Sequence, residues 1–292
     1  MLKLIKIILT GIIVSLFYFP FSFTFFPVVT KNILGVVGII CLGVVLIRKK
    51  EFTLPRSLLL LFLLSSFVSI VALFAITYNQ TPDTTYVTYL RSAIIWTSAA
   101  FATCCCIWLT HKRIDIPLVI NYLAAVGVFQ CAIAMAIHYI PAVQIFVDSF
   151  VMQGQDVLKE MGRLYGIGLF LDAGGSRLAG ILIAIAYLME QNRQERRKTP
   201  QIWLVFAFIA ITVIGNIIAR TTLVGTLIGI AYIVLMELRN LGWKESGFRS
   251  SLGAWLGTLL VIAPAITILY NTSEDFHDLM RFGFEGFFSL FE

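Results

Sequence analysis

Runs of about 20 apolar residues recur along this chain, each long enough to cross a hydrocarbon core about 30 Å thick. No other feature narrows the possible folds so far. Inside a bilayer no water satisfies backbone N–H and C=O groups, so a crossing segment is either a helix or part of a closed barrel. The runs are continuous rather than alternating, which excludes a barrel. The expectation is an all-α polytopic membrane protein. Composition agrees: 59% of the 292 residues are hydrophobic and 13% are charged, against about 25% charged in a soluble domain.

The runs predict about nine transmembrane helices, over about 4–25, 28–47, 57–77, 91–109, 117–140, 169–189, 201–219, 221–237 and 252–271. The basic residues set the orientation. With the N-terminus cytoplasmic, the inner side receives Lys3 and Lys6, then Arg48, Lys49, Lys50 and Arg56, then Lys112 and Arg113, then Arg193, Arg196, Arg197 and Lys198, and finally Arg239, Lys244 and Arg249. The outer side receives Lys31, Arg91, Lys159, Arg163, Arg177, Arg220 and Arg281. Every inner turn obeys the positive-inside rule, and a miscount by one helix would break the alternation. Topology therefore accounts for the net charge of +6, and nucleic acid is not an expected partner. The first apolar segment is too long for a signal peptide and lacks a small-residue cleavage site, so it reads as a retained helix. The chain reads as a single transmembrane domain, 1–292, with an outer loop at about 141–168 and an external C-terminal tail at about 272–292. Its stop at Glu292, outside and after a Phe-rich amphipathic stretch, reads as a truncation, with further helices expected beyond it.

The cysteines Cys41, Cys104, Cys105, Cys106 and Cys131 all fall in apolar segments, without metal-ligand spacing, and read as small apolar residues. No metal site is expected. Trp96, Trp108, Trp203, Trp243 and Trp255 read as interfacial anchors. Gly225 and Gly229 form a GxxxG pair that reads as close helix packing. Walker, HExxH and DxD motifs are absent from the sequence and the inner loops are short, which argues against a nucleotide-using cytoplasmic catalytic domain.

The arginines placed outside carry the chemical interest. Arg220 follows Asn216 by four residues, so on a continuous helix the two share a face. Arg220 is either an end-anchor that snorkels to the interface or a phosphate ligand, a role suited to the paired donors of a guanidinium. Arg163 and Arg177 flank the start of the sixth helix, among Gly162, Gly166, Gly168, Gly174 and Gly175. A helix starting near Gly174 or Ser176 would aim free N–H groups at an anion on the outer side. Asp172 or Ser176 could instead cap that helix, and Asp172 could pair with Arg177. His277, beside Asp275 and Asp278, is the one weak candidate for a general base; a solvated surface histidine is the simpler reading. His111 and His138 show no partners in the sequence.

Two stretches, Arg163-Leu164-Tyr165-Gly166 and Asn216 through Gly225 with Ile218-Ala219-Arg220-Thr221-Thr222-Leu223, resemble the Arg-x-x-Gly segment and the Ser/Thr-Arg-Thr helix turn of the bacterial O-antigen ligase and polymerase family. That family consists of integral membrane glycosyltransferases. The chain departs from it at Asp172-Ala173-Gly174-Gly175, where the family commonly has a Pro-Asn pair, and no family catalytic histidine is carried over to His277. The resemblance implies a multi-pass protein of the bacterial cytoplasmic (inner) membrane. It implies a donor glycan on polyprenyl pyrophosphate and an acceptor that is another lipid-linked unit or a lipid-anchored core sugar. Arg163, Arg177, Arg220 and Asn216 would bind the pyrophosphate. The implied partners are the lipid-linked glycan, the lipid bilayer and other polysaccharide-assembly membrane proteins. No cofactor is implied, since the pyrophosphate lipid is already an activated leaving group.

Two other readings compete. A transporter or flippase for a lipid-linked glycan or other anionic substrate would use the same arginines, but predicts mid-helix charges and an internal repeat. A non-catalytic membrane subunit is the third.

Overall fold

The computed structural model describes residues 2–49, 55–82, 84–152, 158, 163–194, 201–240, 264, 267–268 and 270–283. The chain clusters into two compact units, Met1–Ile114 and Asp115–Glu292.

In the first unit α1 (Leu2–Tyr18), α2 (Thr30–Lys49) and α3 (Arg56–Asn79) all pack on α4 (Tyr89–His111). The α2–α4 contact is set by a missing side chain: a Cβ on Gly38 would run into the Ser98 carbonyl, and one on Gly35 would lie 3.3 Å from the Ile95 Cγ2. Small residues let two backbones approach where no hydrophobic effect presses helices together. The α1–α4 contact is partly polar, with the Thr10 and Thr110 hydroxyls 2.7 Å apart. Phe17 meets Trp96 edge-on, and the Lys31 ammonium lies 4.9 Å from the centre of the Trp96 ring. Helix α1 was expected to run to about residue 25, yet it ends at Tyr18. Pro20 explains this, because it has no N–H to donate and disfavours helical backbone at Phe19. The connection is tied by Thr30, whose hydroxyl donates to the Leu16 carbonyl at 2.8 Å and accepts from the Phe21 N–H at 3.3 Å.

The second unit opens on a capped helix. The Asp115 carboxylate accepts from the Leu118 N–H at 2.8 Å, starting α5 (Ile116–Tyr139). Helix α6 (Pro141–Phe150) follows after one extended residue, Ile140, with φ −120°. A proline forces its predecessor out of helical backbone but suits a first helical turn, so Pro141 ends α5 and begins α6. This stretch, expected to be part of an outer loop, is an amphipathic helix: Val147 is buried while Ile145 and Phe146 are exposed.

Helices α7 (Leu171–Gln194), α8 (Gln201–Ile218) and α9 (Thr222–Asn240) form the rest of the unit, with α10 (Glu274–Gly283) packed on α8. Helix α7 carries the core, with Leu178, Ile181, Leu182, Ile185 and Leu188 wholly buried. Helices α7 and α9 run parallel. Gly225 sits where a Cβ would collide with the Ala179 backbone, and one turn on Gly229 faces Ala186. Helix α8 runs against both, with Gly215 beside Thr222 and Phe208 beside Gly229. The expected packing role of the GxxxG pair is therefore met by α7.

Among the described residues, five helical stretches are long and apolar enough to cross a membrane: Thr30–Arg48, Arg56–Asn79, Tyr86–His111, Ile116–Tyr139 and Leu171–Gln194. Ile202–Ile218 and Thr222–Met236 are shorter apolar helices. The chain is thus a mainly helical, multi-pass protein with lipid-contacting surfaces. The segment expected at about 252–271 lies mostly outside the described residues, as do 284–292 of the expected tail.

Candidate functional site

The outer-loop arginine with the clearest setting is Arg163. It begins a segment, 163–170, that runs into α7 without helix or strand of its own. Buried backbone of this kind must find partners elsewhere, and α5 supplies them. The Gln130 side chain donates from Nε2 to the Ile167 carbonyl at 2.9 Å and accepts on Oε1 from the Ile167 N–H at 3.1 Å. The Gly166 N–H donates to the Leu169 carbonyl at 2.7 Å, and the tight turn so formed places Gly168 at φ 70°, a conformation glycine adopts without penalty.

Arg163 is half-buried and lines a cavity of about 250 Å³ together with Ala134, Ile137 and His138 of α5, Gln144 of α6, and Leu164 and Tyr165. Tyr165 is buried. Its hydroxyl donates to the Asp148 carboxylate of α6 at 3.0 Å and lies 3.5 Å from the Gln144 amide nitrogen. The inner face of α6 is thereby fastened over the segment that bears Arg163.

Arg177 lies in the second turn of α7 and reaches back toward the same segment, its Nη1 3.5 Å from the Gly168 carbonyl. Helical side chains lean toward the helix N-terminus, which makes this reach possible. Asp172 and Ser176 are both inside α7, which starts at Leu171, so neither occupies the cap position considered for them; the Ser176 hydroxyl bonds the Ala173 carbonyl at 3.0 Å.

Arg220 is exposed, in the turn between α8 and α9. This turn rests on the first turn of α7: a Cβ on Gly175 would overlap the Thr221 hydroxyl and approach the Ala219 methyl to 2.6 Å. Thr221 Oγ1 lies 3.5 Å from the Asp172 carbonyl. The N-termini of α7 and α9 are therefore side by side, with Arg220 between α8 and α9 at the same end. The C-terminal end of α5 is there too, through the Gln130–Ile167 bonds. Arg163, Arg177 and Arg220 thus come from segments that meet at one end of the second unit.

Asn216 is not part of that exposed group. Helix α8 stops at Ile218, so the four-residue spacing no longer puts Asn216 and Arg220 on one helical face. Asn216 is wholly buried, donates to the Thr212 carbonyl at 2.6 Å, and keeps an Oδ1 that has no hydrogen-bond partner among the described residues.

His277 lies on α10, its Nδ1 3.3 Å from Asp278 Oδ1 and its ring 4.5 Å from that of Tyr270. It does not line the Arg163 cavity. His138 does, and sequence reasoning set it aside for want of a partner. A signal was available: Gln130, Ala134, Ile137 and His138 repeat at the spacing of one helix face, and Gln130 is an unusual polar residue on such a stripe. Among the described residues, no three His, Cys, Asp or Glu side chains are grouped so as to hold a metal ion. Comparisons with protein families, with curated proteins and with solved structures find no match to this chain.

Proposed function

We propose that this chain joins glycan units carried on polyprenyl pyrophosphate, as polymerase or ligase, at the outer face of the bacterial cytoplasmic membrane. The observation that carries the reading is the half-buried Arg163 in a cavity lined by α5 and by Gln144 of α6, at the end of the unit where the α7 and α9 N-termini lie together. A guanidinium offers paired donors to phosphate oxygens. The dipoles of the two helix starts add partial positive charge. Together they would hold a pyrophosphate and stabilise the charge it gains on leaving. In this reading Arg163 contacts the donor, Arg177 and Arg220 supply surrounding positive charge, and Asn216 acts from below by fixing the end of α8. The topology we propose has nine spans and a cytoplasmic N-terminus, which places this end of the unit outside, within reach of a donor in the outer leaflet and of other polysaccharide-assembly proteins.

The transporter reading draws on one observation, the buried Glu190–Arg193 pair in α7. That pair sits in the last turn of the helix rather than mid-span, which favours the glycosyltransferase.

The test is glycan synthesis by the purified protein from a synthetic polyprenyl-pyrophosphate oligosaccharide. Arg163→Ala is expected to lower the rate by about 10²–10³-fold, as loss of a preorganised charge donor does elsewhere, and Arg163→Lys to restore little of it. Wild-type product formation by Arg163→Ala would refute the proposal.

A further inference from the structure

The first unit carries two cations that the function proposed above does not use. Gly35 lies against Ile95 and Gly38 against Ser98, so α2 and α4 run parallel in register. One turn earlier that register sets Lys31 level with Arg91. Each lies in the first turn of its helix, and neither first turn carries an acidic residue. A helix dipole disfavours a cation at that end. From residue 1 to residue 114 the only carboxylates are Glu51 and Asp83, both outside the described residues, and of the two only Asp83 falls in the connection that leads into α4. Two cations against one carboxylate leave one positive charge at this end that the unit does not offset.

We propose that this end of the first unit binds the phosphate of an anionic phospholipid, with Arg91 supplying the paired donors and Lys31 a second positive charge. The inference does not rest on the function proposed above. Arg91 is exposed, and a guanidinium matches two phosphate oxygens at once. Lys31 is half-buried and already engaged. Its ammonium stands over the Trp96 ring, which Phe17 of α1 holds edge-on. A cation over a ring face keeps its charge, so this contact fixes where the charge of Lys31 stands.

The surroundings favour a lipid over a soluble anion. Tyr86 and Tyr89, at the start of α4, stack at 5.5 Å and are exposed, and tyrosines of this kind sit at the level of lipid headgroups. Below Lys31 the exposed side chains of α2 are apolar, Ile33, Val36 and Ile40 among them. Acyl chains laid along that surface would bring a headgroup to the level of Lys31 and Arg91. A phosphodiester brings one negative charge, equal to the positive charge left over.

The test uses the purified chain in a neutral detergent, titrated with phosphatidylglycerol and with phosphatidylcholine of the same acyl chains. Bound lipid is counted by native mass spectrometry, and the thermal midpoint is followed alongside. Phosphatidylglycerol is expected to bind and raise the midpoint, and phosphatidylcholine to do neither. Arg91→Gln should weaken phosphatidylglycerol binding about fivefold or more, near the worth of one cation at an anionic surface. Arg91→Lys, which keeps the charge without the planar fork, should recover part of the loss. Arg56→Gln, an exposed cation at the start of α3, should bind as wild type does. Wild-type binding by Arg91→Gln, or an equal loss in Arg56→Gln, would overturn the site. Stabilisation by inorganic phosphate as large as that by phosphatidylglycerol would overturn the lipid as occupant. So would binding of a polyprenyl pyrophosphate, sensitive to Arg91→Gln, with none of phosphatidylglycerol.

Discussion

At the level of single residues, the least expected feature is an ion pair in the last turn of α7. Arg193 Nη2 lies 3.0 Å from Glu190 Oε2, and the Gln194 amide donates to the same carboxylate at 2.8 Å. Both charged side chains are largely buried, at 12% and 5% exposure. Removing one partner of such a pair strands the other without water, a loss of about 3–5 kcal/mol. Glu190→Ala is therefore expected to lower the thermal midpoint in detergent sharply, while Glu190→Leu with Arg193→Leu stays close to wild type. A midpoint for Glu190→Ala equal to that of the double variant would show that the pair contributes nothing. Nearby Asn192 is buried, and among the described residues neither of its amide atoms has a hydrogen-bond partner.

Residues also mark where sequence reasoning stopped. The isolated arginines stood out because positive charge sorts to one side of a membrane, and three of them fall on neighbouring segments. That Asn216 would be buried and Arg220 exposed was not legible, because the difference depends on where α8 ends. Nor was the shared cavity of His138 and Arg163, since helix periodicity orders residues within α5 but does not say which distant segment lies against it.

At the level of elements, the apolar runs matched α2, α3, α4, α5, α7, α8 and α9 to within a few residues at most ends, because about 20 consecutive apolar residues leave a helix little alternative in lipid. The misjudged places are the ones governed by proline. Pro20 cuts α1 short, and Pro141 turns the start of a supposed loop into α6, whose mixture of Gln144 and Asp148 with Ile145 and Phe146 hides it from a search for continuous apolar runs. The α7–α9 contact gives a prediction at this scale. Because Gly225 lies against the Ala179 backbone, Gly225→Leu overpacks the seam and is expected to lose about 1–3 kcal/mol. Gly229→Ala, whose added methyl would lie 3.0 Å from the edge of the Phe208 ring rather than against backbone, needs only a small shift of that side chain and should lose less. Equal thermal midpoints for the two variants would mean that the seam is looser than described.

For the whole molecule, topology is the property most open to direct measurement. All five cysteines are free thiols in apolar helices, so a cysteine-free background offers a clean test. In that background Ser149→Cys, exposed on α6, should react in intact cells with a membrane-impermeant maleimide. Protection in cells together with labelling after lysis would reverse the proposed orientation and move the Arg163 cavity to the cytoplasmic side.

Helix α3 differs from its neighbours in how little of it is specified. Ser65 is its one buried residue, and Ser69, a turn later, accepts from the Leu90 N–H at 3.1 Å. The remainder, from Leu59 to Phe74, presents large apolar side chains outward. Lipid tails do not discriminate among leucine, isoleucine, valine and phenylalanine as a packed protein surface does. The amino-acid order of α3 outside its serine stripe therefore carries almost no information beyond length and hydrophobicity, and a permuted α3 that keeps Ser65 and Ser69 in place should insert and support the protein as well as the original. Over evolutionary time such a segment is free to drift, while α7, held on three sides, is not.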